Sequence, residues 1–150
     1  MMMVILAKKL LLASAFFVLT APAAPAMKNP WVGTWKPDRA KSNFVEVNDS
    51  LMISTPSAGV MRWEYRAIQF RMQGKPDGSA MSLDMPSKPA GLVETVKLLT
   101  PTKLTYSVFI GGKLVQTGTD ELSADGKTLT ATSWIVGKES EKRIEVFDKQ

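Results

Sequence analysis

From Leu92 to Asp148 the chain repeats one local grammar: a run of alternating apolar and polar residues, then a tight turn, then another run. Leu104, Tyr106, Val108 and Ile110 alternate with Thr105, Ser107 and Phe109 before Gly111-Gly112. Two adjacent glycines supply the positive φ angles of a two-residue hairpin loop. Lys113–Glu121 returns, Ser123-Ala124-Asp125-Gly126 turns, Thr128–Val136 follows, and Gly137–Ser140 leads into Arg143–Asp148. Leu92–Leu99 precedes the Thr100-Pro101-Thr102 turn and pairs with the strand that begins at Leu104. No helical period competes with this pattern, and turn signals at such short intervals are those of an antiparallel barrel or sandwich.

The first half is less regular. Leu51–Thr55 and Val60–Arg66 form a hairpin across Pro56-Ser57-Ala58-Gly59, with Met61, Trp63 and Tyr65 on one face and Arg62, Glu64 and Arg66 on the other. The apolar phase then slips to Ile68, Phe70 and Met72, as a bulge or short turn near Arg66-Ala67 requires. Gly74–Gly78 reads as a turn, Met81–Met85 as a short strand and Pro86–Gly91 as an irregular loop. With Trp31–Lys36 as the opening strand the total is eight or nine. Without a helix to cover either sheet face, such a set most economically closes on itself, removing its edges. The expectation is an all-β, up-and-down antiparallel barrel of about eight strands. A sandwich is the alternative, and the consecutive hairpins favour the barrel.

The N-terminus sets the compartment. Lys8 and Lys9 precede an apolar run from Leu10 to Leu19, then small residues and prolines, the plan of a secretory signal peptide. The run is shorter than the ~20 residues of a membrane span. Ala24-Pro25-Ala26 fits a cleavage site, with Ala21-Pro22-Ala23 as the alternative, so residues 1–26 read as the signal and 27–150 as one barrel domain. The expected location is the periplasm or the extracellular space. The chain has no cysteine, so burial and strand pairing must carry its stability. Losing Lys8 and Lys9 leaves 17 basic against 14 acidic residues, a net of +3 without a basic run, which argues against a nucleic-acid partner. No later segment is long and apolar enough for a membrane span, and a monomer is expected.

Histidine and cysteine are both absent, which excludes Ser-His-Asp and Cys-His catalysis and zinc sites built on those ligands. No phosphate-binding glycine loop is present, and no cofactor is implied. Glu64 and Glu94 lie in strands, where charged residues at alternate positions usually face solvent. Neither is assigned a catalytic role, and the chain is read as a non-enzyme. Met61, Met72, Met81 and Met85 form no tight cluster, so they read as core filler, not as a soft-metal site. Trp63, Tyr65, Phe70, Tyr106 and Trp134 fit either a filled core or the wall of an apolar pocket. Asn48-Asp49-Ser50 is read as a turn. The cluster Asp38, Arg39, Lys41 and Ser42 follows Trp35 and is read as a structural cap of the barrel floor.

Gly33 lacks a Cβ where a strand enters the barrel, and Trp35 can lie across the closed end. This Gly-x-Trp resembles the opening signature of lipocalins, secreted eight-stranded ligand carriers. The segments GTWKPDRAKSNF, GKPDGSAMSL, GGKLVQT, SADGKTLT and VFDKQ are similar to a family of small bacterial exported lipocalin-like proteins. That resemblance covers most of residues 31–150 and implies fold and export, not chemistry. It also implies a basic residue packed over the floor tryptophan, for which Arg143 is the candidate and Lys142 the weaker one. Pro37 and the stretch from Met81 to Gly91 depart from the pattern. The combined expectation is a carrier of a small apolar or amphipathic molecule, bound by Met61, Trp63, Tyr65, Phe70, Tyr106 and Val108. The alternative is a protein-interaction module, inhibitor-like or an envelope-assembly partner, built on a filled barrel.

Overall fold

A computed structural model describes residues 22–23 and 28–150. The signal-peptide reading falls almost wholly outside the described residues. Beyond Trp31 the chain forms a single antiparallel sheet of eleven strands: β1 (Gly33–Pro37), β2 (Leu51–Ser57), β3 (Val60–Tyr65), β4 (Phe70–Gly74), β5 (Asp77–Ala80), β6 (Ser82–Asp84), β7 (Leu92–Thr100), β8 (Lys103–Ile110), β9 (Lys113–Leu122), β10 (Thr128–Ile135) and β11 (Arg143–Lys149). Their order is β5-β7-β8-β9-β10-β11-β1-β2-β3-β4-β6. Among the described residues no helix is long and apolar enough to cross a membrane.

The two ends of that order are neighbours in the chain, separated only by Met81. One half of the segment pairs with β7 and the other with β4, so this stretch bridges the seam and the barrel is nearly closed. Met81 holds the crossover: its N–H donates to the Glu94 carbonyl at 2.8 Å, and its buried thioether packs where Gly74 has no side chain. The expected count of about eight is corrected to eleven at two places. Of the bulge or short turn expected near Arg66-Ala67 it is the turn, through Arg66–Gln69, that separates β3 from β4, and residues expected to form a turn and one strand form β5 and β6. β5 begins in the tail of that assumed turn, at Asp77-Gly78, and runs on to Ala80, a strand that pairs only along β7.

The strands of the second half pair as the alternation predicts, with Gly111 and Gly112 both at positive φ between β8 and β9. Inward positions form rows across the sheet: Val96, Tyr106, Gly118, Ser133 and Arg143 in one, and Leu104, Asp120, Ala131 and Glu145 in the next. Gly118 is required where it stands. A Cβ there would lie 2.5 Å from the Thr132 carbonyl oxygen and 2.7 Å from the Tyr106 ring, so its absence lets that ring lie across the barrel interior.

The closed end is built on tryptophan. Trp31 and Trp35 are both buried, Trp35 completely, and lie in one core with Ile53, Met61, Val96, Leu104, Leu122, Leu129 and Phe147. Their indole N–H groups are satisfied by carbonyls, Trp31 Nε1 to Pro101 at 2.8 Å and Trp35 Nε1 to Trp31 at 2.9 Å. The cation over Trp35 is Lys149, not Arg143. Its Nζ sits 4.9 Å from the ring centroid and donates to the Pro30 carbonyl at 2.9 Å. Register explains the correction: Trp35 pairs with Lys149, and Arg143 lies six residues away along β11, ~20 Å at strand rise. Gly33 makes room for this arrangement, because a Cβ there would lie 2.7 Å from Lys149 Cε.

β1 ends at Pro37, the short first strand that a proline imposes. The next residues keep β11 paired by other means. Asp38 N–H donates to the Val146 carbonyl at 2.7 Å, Ser42 Oγ accepts from Val146 N–H at 2.9 Å and donates to the Asp38 carbonyl at 2.6 Å, and Asn43 Oδ1 accepts from Ile144 N–H at 2.6 Å. The polar cluster is therefore structural, but it completes the edge of β11 and does not cap the floor. Ser42→Ala leaves a strand N–H without its acceptor, a loss of ~1–3 kcal/mol. The melting temperature should fall by roughly 4 to 10 °C; an unchanged value in a thermal scan would contradict this role.

Candidate functional site: an interior cavity

Above the tryptophan floor the barrel encloses a cavity of about 370 Å³. Its volume falls in the range of small-molecule sites, ~300–1,000 Å³. Five of the residues expected to form a binding wall come together here: Trp63 and Tyr65 from β3, Phe70 from β4, and Tyr106 and Val108 from β8. Met61 does not reach the cavity. It is buried below, in the core, opposite Gly74. Trp134 lies on the outer face of β10, where Lys142 Nζ sits 5.6 Å from its ring centroid. Met72 and Met85 line the cavity singly, without a thioether cluster.

The polar part of the wall is what the sequence reading missed. Glu46, Glu94, Asp120 and Glu145 all line the cavity, as do Gln116, Ser133 and Arg143. Glu94 corrects the expectation that it faces solvent, since it shares its strand face with Val96 and therefore points inward. Glu64 does lie outside, between Arg66 at 3.2 Å and Arg71 at 3.1 Å. The missed residues had a signal in parity: Asp120 is in phase with the buried Leu122, and Glu145 with the buried Phe147.

Arg143 does not neutralise the carboxylates by pairing with one. Its guanidinium lies 4.6 Å from the Phe44 ring centroid, and none of the ion pairs among the described residues involves Glu46, Glu94, Asp120 or Glu145. Burial therefore acts on Glu94, Asp120 and Glu145 with little relief. It pushes Glu94 up to about 7, with a further push from Glu46, and Asp120 up to about 7, aided by the charge of Glu145. Glu145 is also raised to about 7 by burial, although its Oε1 accepts the Glu46 N–H at 3.2 Å. Burial raises the Tyr106 phenol to about 12 and lifts that of Tyr65 as well. Both phenols stay neutral donors at physiological pH.

Asp120 stands out within this group. The residue is half-buried and lines the cavity, and its Oδ1 has neither accessible surface nor a hydrogen-bond partner among the described residues. Native interiors leave few such atoms unpaired. Register places the small Ala131 directly between Asp120 on β9 and Glu145 on β11, and all three residues line the cavity. Among the described residues no three acidic groups converge closely enough to hold one metal ion. The arrangement suits an organic guest better: aromatic and aliphatic walls remove its surface from water, and fixed polar groups orient it. No family model matches the chain, and no curated protein matches it.

Proposed function

We propose that this chain is an exported, lipocalin-like carrier that holds one small apolar or amphipathic molecule inside the barrel. The observation that carries the reading is the cavity itself, about 370 Å³ between a packed floor and a wall of Trp63, Tyr65, Phe70, Tyr106 and Val108. At ~30 Å³ for each water-sized group, that space takes about a dozen non-hydrogen atoms. Burying the guest's apolar surface contributes ~25 cal/mol per Å² before the cost of association. The signal-like N-terminus supports action in the periplasm or outside the cell. An interaction module with a solid interior is less well supported, because the interior has room to spare.

The site is tested by filling it. Ala131 lines the cavity and sits between two carboxylates, so Ala131→Leu adds bulk where a guest would lie. Wild-type protein purified from cells that export it should release a small molecule on organic extraction, and the variant should release at least about fivefold less, a loss of ~1 kcal/mol or more in binding. Equal amounts from both would place the cargo elsewhere.

A further inference from the structure

The charge of the wall narrows the ligand class, an inference that rests on the carrier reading. We propose that the cavity selects positively charged amphiphiles, with the ammonium group of an aliphatic or arylalkyl amine seated over Ala131 between Asp120 and Glu145 and its apolar body against Phe70, Tyr106 and Val108.

The first ground is Asp120, which lines the cavity while its Oδ1 has no hydrogen-bond partner among the described residues. A buried carboxylate without a cation is destabilised by its lost hydration, and a guest that brings the cation recovers part of that loss. The second is the balance of charge around Asp120. Glu46 from the segment before β2, Glu94 from β7 and Glu145 from β11 face the same space, against Arg143 alone. Tyr65 and Tyr106 add neutral phenols. An anionic guest would meet one guanidinium, seated over Phe44, against four acids. The third is the aromatic wall, whose ring faces attract cations at close range.

The cation site works only while its carboxylates are ionised. Because Glu94, Asp120 and Glu145 are held near 7, acidification to pH 5.5 protonates them and should release the amine, which itself remains charged.

The test is isothermal titration of the mature chain with decylamine, decan-1-ol and decanoate, three probes of equal length and different charge. At pH 8 the amine should bind about tenfold or more tighter than the alcohol, the worth of one charge-assisted hydrogen bond, with decanoate weakest. Asp120→Asn, and separately a shift to pH 5.5, should each cut the amine-to-alcohol affinity ratio about tenfold. Binding of the alcohol or decanoate as tightly as the amine would overturn charge selection and leave the carrier reading standing. No binding of any of the three would remove the carrier reading, and charge selection with it.

Discussion

Trp35→Ala should lower the melting temperature by about 10 to 20 °C, the equivalent of ~3–5 kcal/mol for emptying a fully enclosed aromatic site. Trp35 has no exposed surface, and three separate features depend on its ring. Its N–H satisfies the Trp31 carbonyl, its face carries Lys149, and its bulk closes the barrel beneath the cavity. Lys149 is held by that face and the Pro30 carbonyl while burial lowers its ammonium pKa, so removing the ring strands a partly desolvated cation. Thermal unfolding followed by circular dichroism reads the effect. A loss under about 4 °C would mean that the floor collapses onto the gap or that the closed end contributes little.

The second large effect is a gain. Asp120→Asn should raise the melting temperature at pH 8 by roughly 5 to 10 °C, because it replaces a costly buried charge with a neutral group of the same shape. The sign follows from proton counting. Glu94, Asp120 and Glu145 titrate near 7 in the folded barrel and near their ordinary values in the unfolded chain. Between about pH 4 and 7 the folded state therefore binds more protons, and stability falls as pH rises through that window. Above it the full penalty is present. Below about pH 4 both states are protonated and the penalty is gone. The surface carboxylates of Asp38, Asp77 and Asp125 act oppositely: their pKa values are lowered by local hydrogen bonds, and their contribution is lost at acid pH. The difference between wild type and Asp120→Asn isolates the interior group. It should be large at pH 8 and small at pH 4, and a difference independent of pH would contradict the assignment.

The half of the barrel that is regular in sequence is regular in structure, because hairpins from β7 to β11 are local and their alternation meets glycine turns at the right places. Tyr106 and Val108 reach the cavity from that regular half for the same reason. The β3 to β6 region was harder. Its strands are short, the turn at Arg66–Gln69 changes parity, and one stretch serves two different partners to bridge the seam. Strand partners that are distant in sequence leave no local mark.

The acidic lining was obscured by a rule that is usually sound. Charged residues on alternating strands are placed outward, which is correct for Arg62 and Glu64 and inverted for Glu94, Asp120 and Glu145. Only phase with a buried neighbour distinguishes the two cases, and a carboxylate in phase with the core is the exception worth reading as a site. The Arg143 expectation failed for a related reason. Both Arg143 and Lys149 face inward on β11, and nothing local states which of them meets Trp35. Register across β1 decides it.

Native mass spectrometry of the chain purified from its own envelope or medium fraction reads most directly whether the barrel holds a guest. The spectrum should show a chain beginning at Met27 and, at about one-to-one ratio, a second species heavier by a single small molecule that organic extraction releases. A chain that keeps its N-terminal segment would contradict export. A bare mass that stays bare when decylamine, decan-1-ol and decanoate are offered would contradict the carrier.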